Sequence, residues 1–215
     1  MGSRKSLTGV GKTALGVARV RAEEGRRADR LFDDSYAQAF LDAAPGAFAK
    51  EERALSGGGL ASLGEAFYSH GVIRTRFFDD YLLAACAAGC TQVVLVAAWL
   101  DTRGFRLPWP DGVHLFEIDL PEVLSFKERV LAGQGAVPCC ERAVVPADLR
   151  ENWPVELRKA GFRPSEPTAW LACNGWRTQT YDLTTVAVSY DRSVRGSVDY
   201  GFLTAVWESQ RAATV

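Results

Sequence analysis

The spacing of hydrophobic residues changes along the chain, from a helical period to runs typical of buried strands. In "KTALGVARVRA" (12–22) and "SYAQAFLDA" (35–43), apolar residues recur at helical spacing, which predicts two short helices. The stretch "GVIRTRFFDDYLLAACAAG" (71–89) has the same spacing and predicts a longer helix that stops at its final glycine. Residues 43–63 interrupt this pattern, and their triple glycine, Gly57–Gly59, predicts a mobile loop or lid.

From residue 91 onwards the hydrophobic runs become continuous. "TQVVLVAAWLD" (91–101) lacks polar alternation, which is typical of a strand buried on both faces of a parallel sheet. Further strands are predicted in "GVHLFEIDL", "ERAVVPADL" and "PTAWLAC", with helices in "PEVLSFKERVLAGQG" and "WPVELRKAG" between them. Strands that alternate with helices predict a doubly wound α/β sheet, and such sheets bind their ligands beyond the carboxyl ends of the strands.

Acidic residues follow three of the predicted strands. The candidate site comprises Ala97–Asp101 after the first strand, Glu117–Asp119 after the second and Asp148–Leu149 after the third. In nucleoside-binding sheets, an acid at the end of the second strand holds the ribose, because a carboxylate accepts bonds from two vicinal hydroxyls. Asp119 is the candidate for that role. For any one of these acids taken alone, a helix N-cap or a solvated loop position is the alternative.

Composition and charge narrow the class of protein. The 215 residues, 47% of them hydrophobic, suffice for one domain with a full core, predicted as N-terminal helices with a lid (1–88) and an α/β sheet that carries the ligand site (89–215). The 25 basic and 26 acidic residues give a net charge of −1, which argues against a nucleic-acid partner. The chain has no apolar run that approaches a membrane span and no signal-peptide pattern, so we expect a cytoplasmic protein without a membrane partner.

The N-terminal stretch "LTGVGKTALG" (7–16) ends like a phosphate-binding P-loop but lacks the rest of that motif. The first glycine of the motif would fall at position 6, which is Ser6. The residues upstream, "MGSRKSLTG", are too few and too polar to form the buried strand that feeds such a loop. A nucleotide hydrolase is therefore set aside.

The cysteines are odd in number and lack the spacing of a disulfide framework, so we expect reduced thiols. Because the chain has two histidines in all, a metal site is not expected, and buried small hydrophobic side chains are the default interpretation. The five cysteines are Cys86, Cys90, Cys139, Cys140 and Cys173.

Four stretches, taken in order, resemble a known family. They are "VIRTRFFDDYL", "VVLVAAWLDTRGFRLPWP", "FEIDLPEVLSFKERVL" and "ADLRENWPVELRKAGF", and they are similar to the bacterial S-adenosylmethionine-dependent methyltransferases related to the leucine carboxyl methyltransferases. The similarity covers roughly residues 10–172 and a C-terminal fragment. It implies a Rossmann-like methyltransferase fold with an N-terminal helical cap.

The resemblance also implies S-adenosylmethionine as the cofactor and a set of residues that bind it. Arg76 matches the arginine that holds the cofactor's carboxylate with its two-pronged guanidinium, and Asp119 matches the ribose-binding acid. Asp148 and Leu149 match the pair at the adenine, and Lys12 falls near a basic residue at the methionine end. The full set is Lys12, Arg76, Ala97, Trp99, Asp101, Asp119, Asp148 and Leu149.

The chain departs from the family pattern at two places. Relatives carry a glycine before "LDTR", where the backbone approaches the cofactor; here Trp99 either fills part of the pocket or swings away from it. Cys173 stands where a glutamate is expected, and the family's late "GW" segment follows at once, so the segment with the fifth strand is expected to be missing. The sheet must then close up differently, shed its C-terminal part or cover its edge with a second copy, which makes a homodimer an option.

The same departure predicts the local structure of the seam. "TAWLAC" and "WRTQTY" read as two β runs joined by Asn174-Gly175, a preferred hairpin turn, so an antiparallel pair is expected there. The tail "YGFLTAVW" (200–207) predicts a further strand.

Two hypotheses about function follow. The first is an enzyme that transfers methyl from S-adenosylmethionine to a carboxylate or hydroxyl oxygen of a small molecule; alignment and exclusion of water carry most of the catalysis, and an ionised carboxylate needs no general base. No catalytic residue is assigned, but a hydroxyl acceptor would need a base, for which His70 is a better candidate than His114, which lies in an apolar strand. The second is a degenerate, non-catalytic relative that binds a ligand or a partner protein, and Trp99, Cys173 and the missing segment favour it.

Overall fold

The N-terminal part of the protein is helical. The computed structural model describes residues 9–48, 61–171, 177–192 and 201–206. Its first three helices are α1 (Gly9–Gly25), α2 (Ala37–Asp42) and α3 (Ala61–Ala87), which confirms the three predicted helices. The helix α3 ends just before Gly89, whose φ of 107° is the left-handed conformation that stops a helix. The predicted lid at Gly57–Gly59 lies outside the described residues.

Strands and helices alternate in the rest of the chain. The sheet has the order β3-β2-β1-β4-β6-β5, and its first four strands are parallel, which confirms the predicted doubly wound, Rossmann-like α/β fold. Because parallel strands end at the same edge, the residues after β1, β2 and β3 meet there. The elements are β1 (Gln92–Val96), α4 (Arg103–Arg106), β2 (His114–Asp119), α5 (Pro121–Gly133), β3 (Glu141–Pro146), α6 (Trp153–Lys159), β4 (Thr168–Leu171), β5 (Arg177–Asp182), α7 (Leu183–Ser189) and β6 (Gly201–Val206).

The C-terminal strands complete the sheet in an order that the sequence analysis did not predict. The predicted strand at 200–207 forms as β6, but the predicted hairpin between β4 and β5 is wrong: β6 lies between them and pairs antiparallel with both. It meets β4 at Ala169↔Val206 and Trp170↔Ala205, and β5 along six residue pairs. A strand between two others satisfies the hydrogen-bonding groups of both facing edges, which a two-stranded hairpin cannot do. The edge of β4 is therefore covered by β6 of the same chain. The homodimer stays a prediction.

The N-terminal helices pack on the sheet through a hydrophobic cluster that we call the cap cluster. Its fully or nearly fully buried members include Leu15 from α1, Phe40 from α2 and Leu100, Phe105 and Phe126 from the α/β part. The rings of Phe40 and Phe126 lie 6.3 Å apart, centroid to centroid. Because both parts contribute to one core, the cap holds a fixed position over the carboxyl edge of β1.

The P-loop-like stretch of the sequence can be placed on this fold. The backbone is already helical at Gly9, so the Gly-Lys-Thr letters at 11–13 lie inside α1 rather than in a phosphate-binding loop. None of the helices in the described part of the chain combines the length and the apolarity that a membrane span requires.

Cys86 is buried at the end of α3, as expected for a small hydrophobic side chain, and burial raises the pKa of its thiol to about 11.

Candidate functional site at the carboxyl edge of the sheet

Asp119 ties together the ends of the first three strands. Its Oδ2 accepts a 2.7 Å hydrogen bond from the backbone N–H of Trp99, in the turn after β1. Its Oδ1 accepts one from Leu120 at 2.7 Å, and its carbonyl oxygen accepts one from the N–H of Ala147, after β3, at 2.9 Å. Burial raises the pKa of Asp119 above its ordinary value, and the bonds from Trp99 and Leu120 partly offset that shift. The predicted convergence of three strand ends is thus met at Asp119, whose carboxylate holds the turn after β1 and whose backbone carbonyl holds the segment after β3.

The turn after β1 has a backbone conformation that glycine adopts most easily. Ala97 has φ 54° and Trp99 has φ 47°, both in the left-handed region that L-residues with a Cβ rarely occupy. The Trp99 position is the one at which the family resemblance expects glycine, and its φ supplies the physical reason. Bonds at both ends hold the turn, since the N–H of Ala98 also donates to Ile118 O at 3.0 Å.

Replacing Ala97 with glycine is expected to raise the free energy of unfolding by about 0.5–1 kcal/mol. Removing the Cβ relieves a left-handed strain of about 1–2 kcal/mol, of which about 0.5–1 kcal/mol is lost again to the entropy of glycine in the unfolded chain. The measurement is urea unfolding followed by circular dichroism. Ala132→Gly, at an exposed helical position in α5, is the matched control and is expected to lower stability. Equal losses in both variants would contradict a strained turn.

The Trp99 side chain faces both the turn and the cap. It is half-buried, packs against the cap cluster and lines a cavity beside the turn. The sequence analysis offered two possibilities for this side chain, that it fills part of the pocket or that it swings away. It lines the cavity, as in the first, and it also packs towards the cap, as in the second. The indole therefore takes up space in this cavity, which Asp119 does not line.

The cavity beside the turn has a volume of about 80 Å³ and a wall rich in charged side chains. It lies between α1, α3 and the segment that runs from β1 through α4. Its lining includes the predicted residues Ala97, Trp99 and Asp101, together with four arginines. These arginines are Arg21, Arg74, Arg103 and Arg106.

Three buried or nearly buried carboxylates pair with these arginines. Asp79 of α3 accepts 2.7 Å hydrogen bonds from Arg103 Nε and from Arg106 Nη1, and Arg103 also pairs with Asp101. Burial alone would raise the pKa of Asp101, but the positive charges of Arg103, and then of other nearby cations, outweigh it and hold the pKa at about 2. Asp101 is therefore ionised throughout the neutral pH range, and its negative charge pairs with Arg103.

The third carboxylate connects the cap to the turn. Asp34 Oδ2 accepts 2.7 Å bonds from Arg21 Nε of α1 and from Thr102 Oγ1. The same arginine donates from Nη2 to Leu100 O at 2.6 Å. Sequence reasoning missed Asp34, Asp79 and Thr102. The signal available was the polar "DTR" directly after an apolar strand, since buried charges in such a position need partners from elsewhere in the chain.

The structure places Arg74, rather than Arg76, at the cavity. Arg76 donates from Nε to Asp80 at 3.0 Å and from Nη1 to Leu31 O at 2.9 Å, and it does not line the cavity. Arg74 lines the cavity, is exposed, and has its guanidinium 5.5 Å from the Phe78 ring centroid. Residues two apart on a helix point about 200° away from each other, which is why both cannot face one pocket.

Of the remaining predicted residues, Asp148 and Leu149 do not line the cavity. Asp148 and Leu149 follow β3 at the same edge; Asp148 pairs with the exposed Arg150 at 2.5 Å, which, with backbone bonding, lowers its pKa to about 2. Leu149 is exposed. Lys12 lies in α1, and its side chain is not among those described.

The two histidines occupy different ends of the molecule. His114 begins β2, roughly 16 Å along the strand from Asp119, and its ring stacks on Phe116 with centroids 4.1 Å apart. His70 lies one helical turn before Arg74, and its pKa is lowered by burial and then by the charge of Arg74. Neither histidine lines the cavity.

A doubly wound sheet with an acid at the end of its second strand and a tight turn after its first defines a nucleoside-cofactor-binding α/β protein. The family model described as leucine carboxyl methyltransferase matches residues 14–175. The chain therefore belongs to the leucine carboxyl methyltransferase family.

Relatives in three organisms bear the provisional name S-adenosyl-L-methionine-dependent methyltransferase. The chain is 54% identical over 171 residues to a protein of Parafrankia sp. (strain EAN1pec). The aligned residues make up 80% of this chain and 55% of that relative. The chain is 55% identical over 163 residues to one of Frankia alni, covering 76% and 57%. It is 45% identical over 193 residues to one of Saccharopolyspora erythraea, covering 89% and 66%. The chain thus spans between 55% and 66% of the length of these relatives. The names of these relatives include S-adenosylmethionine, the cofactor that the resemblance implied.

Proposed function

We propose that the protein is an S-adenosylmethionine-dependent O-methyltransferase that acts on a small molecule. The observation that carries the proposal is the position of Asp119, where the ends of β1, β2 and β3 meet beside a left-handed turn. The names of the relatives support the cofactor and the reaction class. When bound, S-adenosylmethionine supplies an activated methyl group.

The chemistry of the residues at this edge fits the functional groups of the cofactor. Each carboxylate oxygen of Asp119 accepts one backbone bond and keeps a second lone pair, with which it can accept a bond from a ribose hydroxyl. Arg74 lines the cavity and can hold a carboxylate with its guanidinium. Asp148 and Leu149 remain the residues proposed for the adenine, since the backbone bond from Ala147 holds their loop against Asp119.

A cofactor held by both Arg74 and Asp119 must extend from the cavity to Asp119, which does not line it, so its entry requires a movement. The cavity's 80 Å³ lies well below the roughly 300 Å³ at which pockets for drug-sized ligands begin. Trp99 supplies part of the wall and its side chain is half-buried, so it can withdraw with less loss of packing than the buried members of the wall. The turn's backbone stays in place because Asp119 and Ile118 hold it.

The lining of the cavity favours a carboxylate over a hydroxyl as the methyl acceptor. A hydroxyl must lose a proton to a general base, whereas an ionised carboxylate is already nucleophilic. Among the described residues no histidine lines the cavity.

The second candidate function is a non-catalytic binding protein of the same family. The small cavity and the tryptophan at a glycine-like position favour it. The two functions differ in whether the protein transfers a methyl group to an acceptor.

Calorimetric titration with S-adenosylmethionine and with S-adenosylhomocysteine tests the proposal. We expect binding by the unaltered chain, loss of binding in Asp119→Ala, and tighter binding in Trp99→Gly because the pocket is wider. The pair Arg74→Gln and Arg76→Gln decides which arginine holds the carboxylate; we expect at least about 10-fold weaker binding in the first, the size of a lost charged hydrogen bond, and little change in the second.

The opposite pattern in that pair would assign the role to Arg76, as the resemblance implies. Circular dichroism of each variant controls for folding. If the unaltered chain does not bind and Trp99→Gly does, the non-catalytic function is the correct one.

A further inference from the structure

A second pocket lies on the cap, between α1 and the segment that follows α2. It has a volume of about 200 Å³, more than twice that of the cavity at the sheet edge. Apolar side chains form most of its wall: Leu15, Leu41, Ala44, Pro45, Ala47 and Phe48. Neither the family resemblance nor the proposed function assigns it a role.

The pocket is separate from the cofactor cavity. Of the α1 residues, Ala14, Val17 and Arg21 line the cavity, whereas Leu15 and Arg19 line the pocket. These two sets lie on different faces of the helix, because each residue advances the helix by about 100°. A ligand in the pocket therefore does not occupy the cofactor's place.

Arg19 is the one charged residue among the described side chains that line the pocket. Its guanidinium carbon lies 5.9 Å from the Phe48 ring centroid, and its Nε donates to Glu23 Oε1 at 2.9 Å. The side chains of Arg19 and Glu23 are 47% and 42% exposed, so water screens their ion pair, which is weak. Arg19 can therefore turn towards a ligand anion at the pocket's rim at little cost.

The size of the pocket limits the ligand. An apolar cavity of about 150 Å³ in another protein binds benzene, so a pocket of this volume accommodates one ring with a small substituent. An apolar wall that includes an aromatic ring, with one cation at the rim, complements a ring that carries a single negative charge.

We propose that the pocket between α1 and α2 binds a small one-ring carboxylate, with the ring among the apolar side chains and the carboxylate on Arg19. The proposal goes beyond methyl transfer and does not depend on cofactor binding. Each can therefore fail without the other.

Titration of the full chain with benzoate, followed by ¹H–¹⁵N NMR, tests this proposal. We expect saturable shifts for residues 15–19 and 41–48 and none for the turn at 97–103. Benzamide has nearly the same shape without the charge, and we expect it to bind at least about 10-fold more weakly. Arg19→Gln should abolish this preference, whereas Arg30→Gln, which removes an equally exposed positive charge after α1, should preserve it.

Filling the pocket supplies an independent check. Leu41→Trp should abolish benzoate binding while the spectrum remains that of a folded protein. The proposal is overturned if the unaltered chain does not bind benzoate, if benzamide binds equally well, or if the shifts appear at the turn instead. The comparison of the two ligands uses the unaltered chain, so it is decisive even if the tryptophan variant does not fold.

Discussion

Replacing Asp79 with asparagine is expected to lower the free energy of unfolding by about 3–5 kcal/mol, because it leaves two buried guanidinium groups without their shared carboxylate. Asp79 is 3% exposed, and the side chains of Arg103 and Arg106 that it pairs with are 9% and 8% exposed. The two arginines come from α4, so the substitution also weakens the attachment of α3 to the segment after β1. Urea unfolding measures the loss as a lower midpoint at unchanged slope.

The next residue along the chain supplies a matched control. Asp80 makes an ion pair with Arg76, but both side chains are 40% exposed, so Asp80→Asn is expected to cost at most about 1 kcal/mol. The hydroxyl of Tyr190, which donates to Asp80 at 2.7 Å, can still donate to the amide oxygen of asparagine. Similar losses in the two variants would show that burial of the Asp79 pairs is not what stabilises this region.

The second large effect is expected from Glu117, under α5. Glu117 and Lys127 are both fully buried, with Nζ and Oε2 2.5 Å apart, and Arg142 donates to the same oxygen at 2.6 Å. Glu117→Gln removes the negative charge and leaves Lys127 buried, so we expect a loss of about 3–5 kcal/mol in the free energy of unfolding. Thermal or urea unfolding of the variant measures it.

A double-mutant cycle separates the ion pair from the shape of the site. Glu117→Gln combined with Lys127→Met removes both charges, and we expect it to cost less than the sum of the two single changes. Glu128→Gln is the control, because Glu128 also pairs with Arg142 at 2.6 Å but is 43% exposed, so its loss should stay within about 1 kcal/mol. Additive losses in the cycle would contradict a coupled buried pair.

These two clusters show what a local pattern of charge leaves open. The sequence analysis assigned no environment to the charged residues of "FKERVL" and "FFDDYL", and the structure buries Lys127 and Asp79. Whether a charged position on a helix is buried depends on what packs against it. The partner of Asp79 lies 24 residues further along the chain, and that of Lys127 lies ten residues before it on a strand.

The resemblance named Arg76 for the cofactor's carboxylate, but the residue of this helix that lines the cavity is Arg74. Both belong to the stretch that carries the family resemblance, and they have the same side-chain chemistry. Only the rotation of α3 against the sheet determines which of them lines the cavity. That rotation is fixed by the packing of the whole helix, to which α1, the sheet and α7 all contribute.

By itself the sequence determined the helices of the cap, the parallel strands and the convergence of three strand ends near Asp119. These features follow from local hydrophobic period and from the fact that parallel strands end at one edge, so they need no knowledge of distant contacts. The tertiary structure alone decided that β6 separates β4 from β5 and that a pocket exists on the cap. It also decided which carboxylates pair with the arginines: Asp34, from the segment before α2, and Asp79, from α3. Each of these depends on surfaces far apart in sequence, and their pairing is selected by packing and by the cost of leaving a buried charge or a strand edge unsatisfied.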